Sequence, residues 1–590
     1  MKTEILFVRW WKWLISRLSD SQRVVLASIL VGLISGMMAV LLKLFAHTIE
    51  KYVSRIDSSS YLYIILPFCG ILASVLFVKI FTKKGVDKGS FNVLFAIAKK
   101  SSHIPKEETY THIVTSGLTV GLGGSAGMES PIVQTGAAIG SNLSGLFPLN
   151  YRDRTLMIGC GAAAGIAAAF NAPIAGVLFA LEVLLVNASI QTFIPLIIAG
   201  ATGALCSKVV LDEEVLFHFK QQQTFDYHNM PFYTLLGILC GLFAVYHTRS
   251  FIRAENLIHK VARTTFSKLL IGGSLLVILI MLFPPLFGEG YIAIKNLSDP
   301  TMMRSLASHS MLSDWITSPQ GLTLFLVIIL FVKVWATALT VTAGGNGGNF
   351  APSLFAGGFL GYLFAYGVNY SGLKQLPTHN FILVGMAGVL CGVFHAPLTS
   401  IFLIAEITGG YDLIIPLMIV SSLSLLVVRY LQPRSIDAIK LSQKGFEHTS
   451  DQDSIILSAL DTEHLIEKNF IPVLPTASLG ELVKLISQSK RNIFPVVDEE
   501  GELQGVLLLD QLREVMFKTE LYTTLLVKDI QQAPPAILTC DESMASVMDK
   551  FDKTQAWNLP ITKDKKYVGF VSKSMIFSEY RKWLQENSYH

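Results

Sequence analysis

Charge is scarce in this sequence. Only 15% of its 590 residues are Asp, Glu, Lys or Arg, 51% are hydrophobic, and the mean hydropathy is +0.51. A soluble chain of this length carries more charge, so most of the protein is built for a bilayer. The net charge of +4 gives no case for nucleic acid as a partner. Cysteine is scarce as well. Cys69, Cys160, Cys206, Cys240, Cys391 and Cys540 are scattered, none in a CxxC pair, so neither disulfides nor a metal site is expected. The apolar part has no HExxH and no cluster of metal-ligating residues, which argues against a membrane-embedded enzyme or a metal transporter. A cleavable signal peptide is not expected either. The start is basic and aromatic, and the first apolar run shows no small-residue cleavage site.

What is present is a set of apolar runs without acids, Lys or Arg, among them 24–42, 155–181, 231–248 and 334–373, each long enough to span a bilayer or nearly so. Residues 1–23 carry Lys2, Arg9, Lys12, Arg17, Arg23 and the run WWKW, and read as an interfacial helix on the cytoplasmic side. Spanning helices are expected near 24–52, 61–82, 231–262, 269–283 and 322–341. A more polar stretch, 288–318, is expected to face outside or a surface. The sequence KKGVDKGSFNVLFAIAKK (83–100) is too short to span and suggests a broken element lining a cavity. Lys88 and Ser90 precede its helix. Lys88 reads first as snorkelling to the surface like Lys83 and Lys84, and second as helping to hold an anion.

The chain is organised around GLGGSAGMESPIVQTGAAIG (121–140). Proline is tolerated in the first turn of a helix, so Pro131 places a helix start near Ser130 with Glu129 at its mouth. Backbone N–H groups and the helix dipole make such a mouth an anion site. An acid at membrane depth is expensive and by default functional. Glu129 is therefore expected to compete with a small anion for one site.

The apolar part also repeats itself. GAAAGIAAAFNAPIAGVLFALEVL (161–184) aligns without a gap on GMAGVLCGVFHAPLTSIFLIAEIT (385–408), matching Gly161, Phe170, Ala172, Pro173 and Glu182 to Gly385, Phe394, Ala396, Pro397 and Glu406. Gly127-Met-Glu-Ser-Pro131 likewise aligns on Gly348-Asn-Phe-Ala-Pro352, which sets Gly136 and Gly140 on Gly357 and Gly361. Two related halves follow, 24–220 and 221–445, divided near 221–230. Inverted repeats bring broken helices together at the midplane, here with mouths at Glu129 and Phe350. A motif for helix packing alone is the competing reading. Glu182 and Glu406 are expected to be structural, bonding backbone groups at broken helices. His395, opposite Asn171 in the repeat, is expected to cap a helix.

After Arg429 charge rises and the apolar runs stop. Residues 446–590 read as a soluble α/β module with its own duplication, because RNIFPVVDEEGELQGVLLLD (491–510) resembles AWNLPITKDKKYVGFVSK (556–573). Its units are about 465–520 and 525–585.

The chain resembles the CLC family of chloride channels and chloride/proton exchangers, followed by a pair of CBS domains. GMESP (127–131) looks like the family's GREGP, whose Glu is the gate. GGNFAP (347–352) looks like GGxFxP, whose amides hold the central anion. The resemblance implies a polytopic α-helical membrane protein with inverted-topology repeats plus a soluble α/β CBS pair. It also implies a homodimer with one pore per subunit in a lipid bilayer, both termini cytoplasmic, here in a bacterial inner (cell) membrane. The expected anion-binding residues are Lys88, Gly127, Met128, Glu129, Ser130, Asn349 and Phe350, with Glu129 as gate.

There are departures from the family pattern. DKGSF (87–91) is the best fit to the GSGIP loop and puts Lys88 at its anion-contacting Ser. Met128 replaces the Arg of GREGP. Val183 stands where many exchangers carry a proton-transfer acid, and valine holds no proton. This favours a passive chloride channel, with a chloride/proton antiporter, or one carrying fluoride or nitrate, as the alternative. Asp437 aligns with the pore tyrosine. Either the inner gate is rebuilt or Asp437 points into the cytoplasm, and no role is assigned to it. In the CBS pair the ribose- and phosphate-holding Ser/Thr-x-x-Asp is damaged, to Leu508 and Gln511 in one copy and to Ser572 and Met575 in the other. No cofactor is expected, and adenine nucleotide there is disfavoured without being closed off.

Overall fold

The computed structural model describes residues 17–56, 61–82, 89–99, 102–147, 149–185, 190–211, 225–297, 310–312, 316, 318–444, 462–542 and 544–587. Contacts divide the chain into two units, Met1–His448 and Thr449–His590.

The first unit is helical. Among the described residues eight helices are long and apolar enough to cross a membrane. The first, Asp20–Val53, starts at a capping box in which Ser19 and Gln22 satisfy each other's backbone N–H groups. Residues 20–23 therefore belong to a spanning helix and not to an interfacial one, and residues 1–16 lie outside the described residues. The later spans, Met230–Val261, Thr265–Leu282 and Pro319–Thr342, begin and end within a few residues of the apolar runs that predict them.

The repeat is a structural repeat. Helices Glu129–Leu143 and Phe350–Tyr370 begin at aligned residues, with N-caps Met128 (φ −84°, ψ −10°) and Asn349 (φ −87°, ψ 0°). Helices Tyr151–Phe170 and Thr378–Phe394 end at aligned left-handed residues, Asn171 (φ 52°, ψ 40°) and His395 (φ 57°, ψ 34°), so His395 caps its helix as the alignment predicts. The aligned glycines mate inside each half. A Cβ on Gly136 would strike the Gly161 carbonyl and one on Gly161 the Gly136 carbonyl, and Gly357 and Gly385 stand in the same relation. Only glycine lets backbones approach this closely in a bilayer, where small residues take over helix packing.

The halves are also stitched to each other by reciprocal bonds. Glu182 accepts from the Leu398 and Thr399 backbone N–H groups at 3.0 and 2.8 Å, at the start of helix Pro397–Ile407. Glu406 accepts from Ile174 and Ala175 at 3.1 and 2.8 Å, at the start of helix Pro173–Phe179. Each carboxylate thus satisfies orphan first-turn donors in the opposite half, the structural role the matched pair suggests.

The second unit is α/β. Strand Ile493–Val497 pairs antiparallel with Leu503–Leu508, and Asn558–Lys563 with Lys566–Ser572. A parallel neighbour flanks the leading strand of each pair, at Val473 against Val496 and at Leu538 against Ile561. Helices Leu479–Gln488 and Met544–Thr554 precede the pairs, so the duplication seen in the sequence is one of fold. Ser572 donates to Glu467 at 2.5 Å and accepts from the Met575 N–H at 3.1 Å, so its hydroxyl is engaged within the unit.

Candidate functional site

The two glycine-rich turns meet at the centre of the first unit. Gly127 N–H donates to the Gly348 carbonyl at 3.0 Å, and Gly348 N–H to the Gly127 carbonyl at 2.9 Å, an antiparallel bridge of two residues. Ser125 N–H donates to the Thr340 hydroxyl and Asn346 N–H to the Thr119 hydroxyl, both at 3.1 Å. These reciprocal contacts join positions at one constant offset, as a two-fold axis produces. The axis passes between the mouths of helices Glu129–Leu143 and Phe350–Tyr370, whose first-turn amides have no partners within their own helices.

Glu129 lies at this meeting point and is 3% exposed. Its Oε1 accepts from the Tyr291 hydroxyl at 2.5 Å. Its Oε2 is buried, and the backbone N–H groups of Glu129 and Ala351 also reach the carboxylate. A Cβ on Gly127 would strike Oε2 and crowd the Ala351 backbone nitrogen, so the carboxylate has folded back into the space between the two helix mouths. A negatively charged group held there is what the dipoles of both helices favour. The walls are aromatic. Phe350 packs between the aligned rings of Phe170 and Phe394, each 5.6 Å away, with Phe179 at 6.2 Å.

Two cavities approach Glu129. One, of about 560 Å³, is lined by Lys43, His47, Glu50, Tyr63, Glu289, Tyr291 and Lys295. The other, of about 30 Å³, is lined by Ser90, Ser130, Asn349, Phe350, Asp437 and Lys440. Among the described residues Glu129 alone lines both, so its side chain is the partition between them.

The expected anion-site residues fare differently. Ser130, Asn349 and Phe350 line the smaller cavity. The Gly127 N–H is committed to the bridge with Gly348, and the Met128 N–H donates to Glu289 Oε1 at 2.9 Å, so neither amide faces an anion in this state. Lys88 lies outside the described residues. Ser90 is in the cavity wall, 2.9 Å from the Ser130 hydroxyl. Val183 is buried, 7% exposed. Asp437 does not point away into the cytoplasm. It sits in the first turn of helix Ile436–Gln443, 8% exposed, and lines the cavity with Oδ2 unpartnered.

Glu289 and Tyr291 correct the reading of 288–318 as a surface stretch for residues 288–297, while 298–309, 313–315 and 317 lie outside the described residues. The turn 284–290 and helix Tyr291–Asn296 fold inward to Glu129. Lys333 anchors that turn. It is completely buried, donates to the Gly288 carbonyl and the Ser125 hydroxyl, both at 2.9 Å, and lies 4.9 Å from the centre of the Phe355 ring.

A family model described as voltage gated chloride channel matches residues 69–429, more than half of the chain, and a CBS domain model matches 463–518. A ClcB-like chloride channel protein of Ralstonia nicotianae is 27% identical over 363 residues, 60% of this chain and 80% of that protein. The H(+)/Cl(-) exchange transporter ClcA of Vibrio cholerae serotype O1 is 29% identical over 315 residues, 51% of this chain and 62% of its own length. The structure of a slow cyanobacterial Cl-/H+ antiporter superposes with a TM-score of 0.61 at 21% identity, over 72% of this chain and 98% of the other.

Proposed function

The chain belongs to the voltage-gated chloride channel family, and from that premise we propose that it exchanges chloride for protons, with Glu129 both plugging the anion site and carrying the proton. One observation carries the reading: Glu129 is the partition between the two cavities, and its carboxylate sits where the two helix mouths would hold an anion. An incoming anion has to displace that carboxylate. A displaced carboxylate in an apolar wall is stabilised by taking up a proton, so each opening of the site is tied to a protonation. The exchange transporter named among the relatives supports this reading over the passive channel expected from Val183.

The anion would rest on the Ser130, Asn349 and Phe350 amides and the Ser90 and Ser130 hydroxyls. These are dipoles without a full positive charge, so they bind without trapping. In this proposal the smaller cavity opens toward the cytoplasm. A homodimer in a bacterial inner membrane, with both termini cytoplasmic and the CBS pair as a regulatory module, completes the proposal.

The test is reconstitution of the whole chain in liposomes with a chloride gradient, recording chloride efflux and internal pH together. Uphill proton movement that stops in Glu129→Ala is the expected result. Chloride efflux with no proton movement above the leak would leave a passive channel. Replacing chloride by fluoride or nitrate in the same vesicles ranks the anions.

A further inference from the structure

An exchanger needs a route by which protons reach Glu129 from the side opposite the large cavity. We propose that Asp437 is the proton carrier on that side, handing protons to Glu129 through the cavity that also holds the anion. The inference rests on the exchange reading above and adds to it a residue and a path.

The argument is geometric. Glu129 and Asp437 are the acids among the residues lining the cavity of about 30 Å³. Asp437 turns Oδ2 into buried surroundings without a partner, while the Glu129 carboxylate beside it is held by the Tyr291 hydroxyl and by backbone N–H groups. A buried carboxylate oxygen is costly when unpartnered, so Asp437 Oδ2 calls for an occupant of the cavity it shares with Glu129. The space holds about two waters, and the Ser90 and Ser130 hydroxyls, 2.9 Å apart in its wall, supply the polar contacts that an ordered water requires. Glu182 and Glu406, by contrast, are saturated by backbone donors of the opposite half and are not placed to carry protons.

The charge felt by Asp437 is that of Lys440, which lines the same cavity. Lys440, one turn on, pairs with Glu255 at 3.0 Å and lies over the Phe251 ring. Lys444 lies over the rings of Phe91 and Phe95. The adjoining helix Thr378–Phe394 ends at His395. In the transfer, protonated Asp437 gives its proton to a cavity water, and that water gives one to Glu129 Oε2. Asp437 is left as a carboxylate and regains a proton from the aqueous side, with no other bond changed.

The experiment compares the reconstituted wild type with Asp437→Asn and Asp437→Glu, measuring protons moved per chloride. In Asp437→Asn the proton-to-chloride ratio is expected to fall at least about tenfold, and Asp437→Glu is expected to keep the ratio. Proton pumping by Asp437→Asn at the wild-type ratio overturns the assignment. If Asp437→Asn moves neither ion, Asp437→Ala is judged by the same ratio. Absence of proton pumping in the wild type instead sinks the exchange reading itself, so the two failures are told apart.

Discussion

Removing one oxygen atom from Tyr291 should speed the transporter. The Tyr291 hydroxyl donates to Glu129 Oε1, at 2.5 Å, and holds the carboxylate in the proposed anion site. Hydrogen bonds to a charged group contribute about 1.5–3 kcal/mol. Tyr291→Phe removes that contribution and keeps the ring, which packs edge-on against Phe170 at 6.4 Å. Each 1.36 kcal/mol is tenfold in rate, so release of Glu129 should quicken by about 10- to 100-fold. Water in the 560 Å³ cavity replaces part of the lost donor, which puts the expectation near the lower figure, about tenfold. The assay is the initial rate of chloride efflux per subunit from liposomes, with the elution profile in detergent as a check on folding. A rate within about twofold of wild type, or below it, in well-folded protein would refute the latch.

Other outcomes follow from the same structure. Glu129→Gln should keep or raise chloride flux, and the rise of flux with acid expected of the wild type should vanish, as read in the same vesicles at stepped pH. Glu182→Ala strands the Leu398 and Thr399 N–H groups and the Thr399 hydroxyl and should cost about 3 kcal/mol, discounted below the sum of three charge-assisted bonds because Leu398 is 46% exposed. Thermal unfolding in detergent measures it, and a loss below about 1 kcal/mol would contradict the capping role. In the CBS unit, burial raises the Glu542 carboxyl, but Lys550, Ser546 and the Thr539 N–H outweigh it and hold it below the ordinary carboxylate value. A lowered group stabilises above its unfolded pKa and loses that contribution as pH falls through the folded one. Glu542→Gln should therefore reduce hydrogen-exchange protection of Met544–Thr554 at neutral pH and converge with wild type in acid.

How much of this was legible beforehand depends on what each residue's neighbours in sequence reveal. The spans follow from apolar length, and the two halves from the Gly127/Gly348 and Glu182/Glu406 matches. Those matches recur because both halves make the same contacts to each other. The same offset extends upstream to Thr119 and Thr340 and to Gly123 and Gly344, both of which are glycines with positive φ (97° and 111°). That extension was the readable signal for the hydroxyl bonds across the centre. Glu289 and Tyr291 carried no such signal. They sit in a polar stretch outside the repeat, and only the fold shows that it turns inward, held by Lys333. Asp437 was visible as an aligned residue, but the direction of its side chain is a property of helix Ile436–Gln443 against the cavity and not of the local sequence.

The reciprocal bonds across the centre bear on how such a machine moves. Transporters built from inverted repeats commonly work by rocking one half against the other. Here rocking would have to break the bridge of Gly127 and Gly348, the threonine links and both glutamate caps together. The frame is locked where a rocking pivot would lie. What is left to travel is side chains, with the stroke of the cycle no longer than the reach of a glutamate.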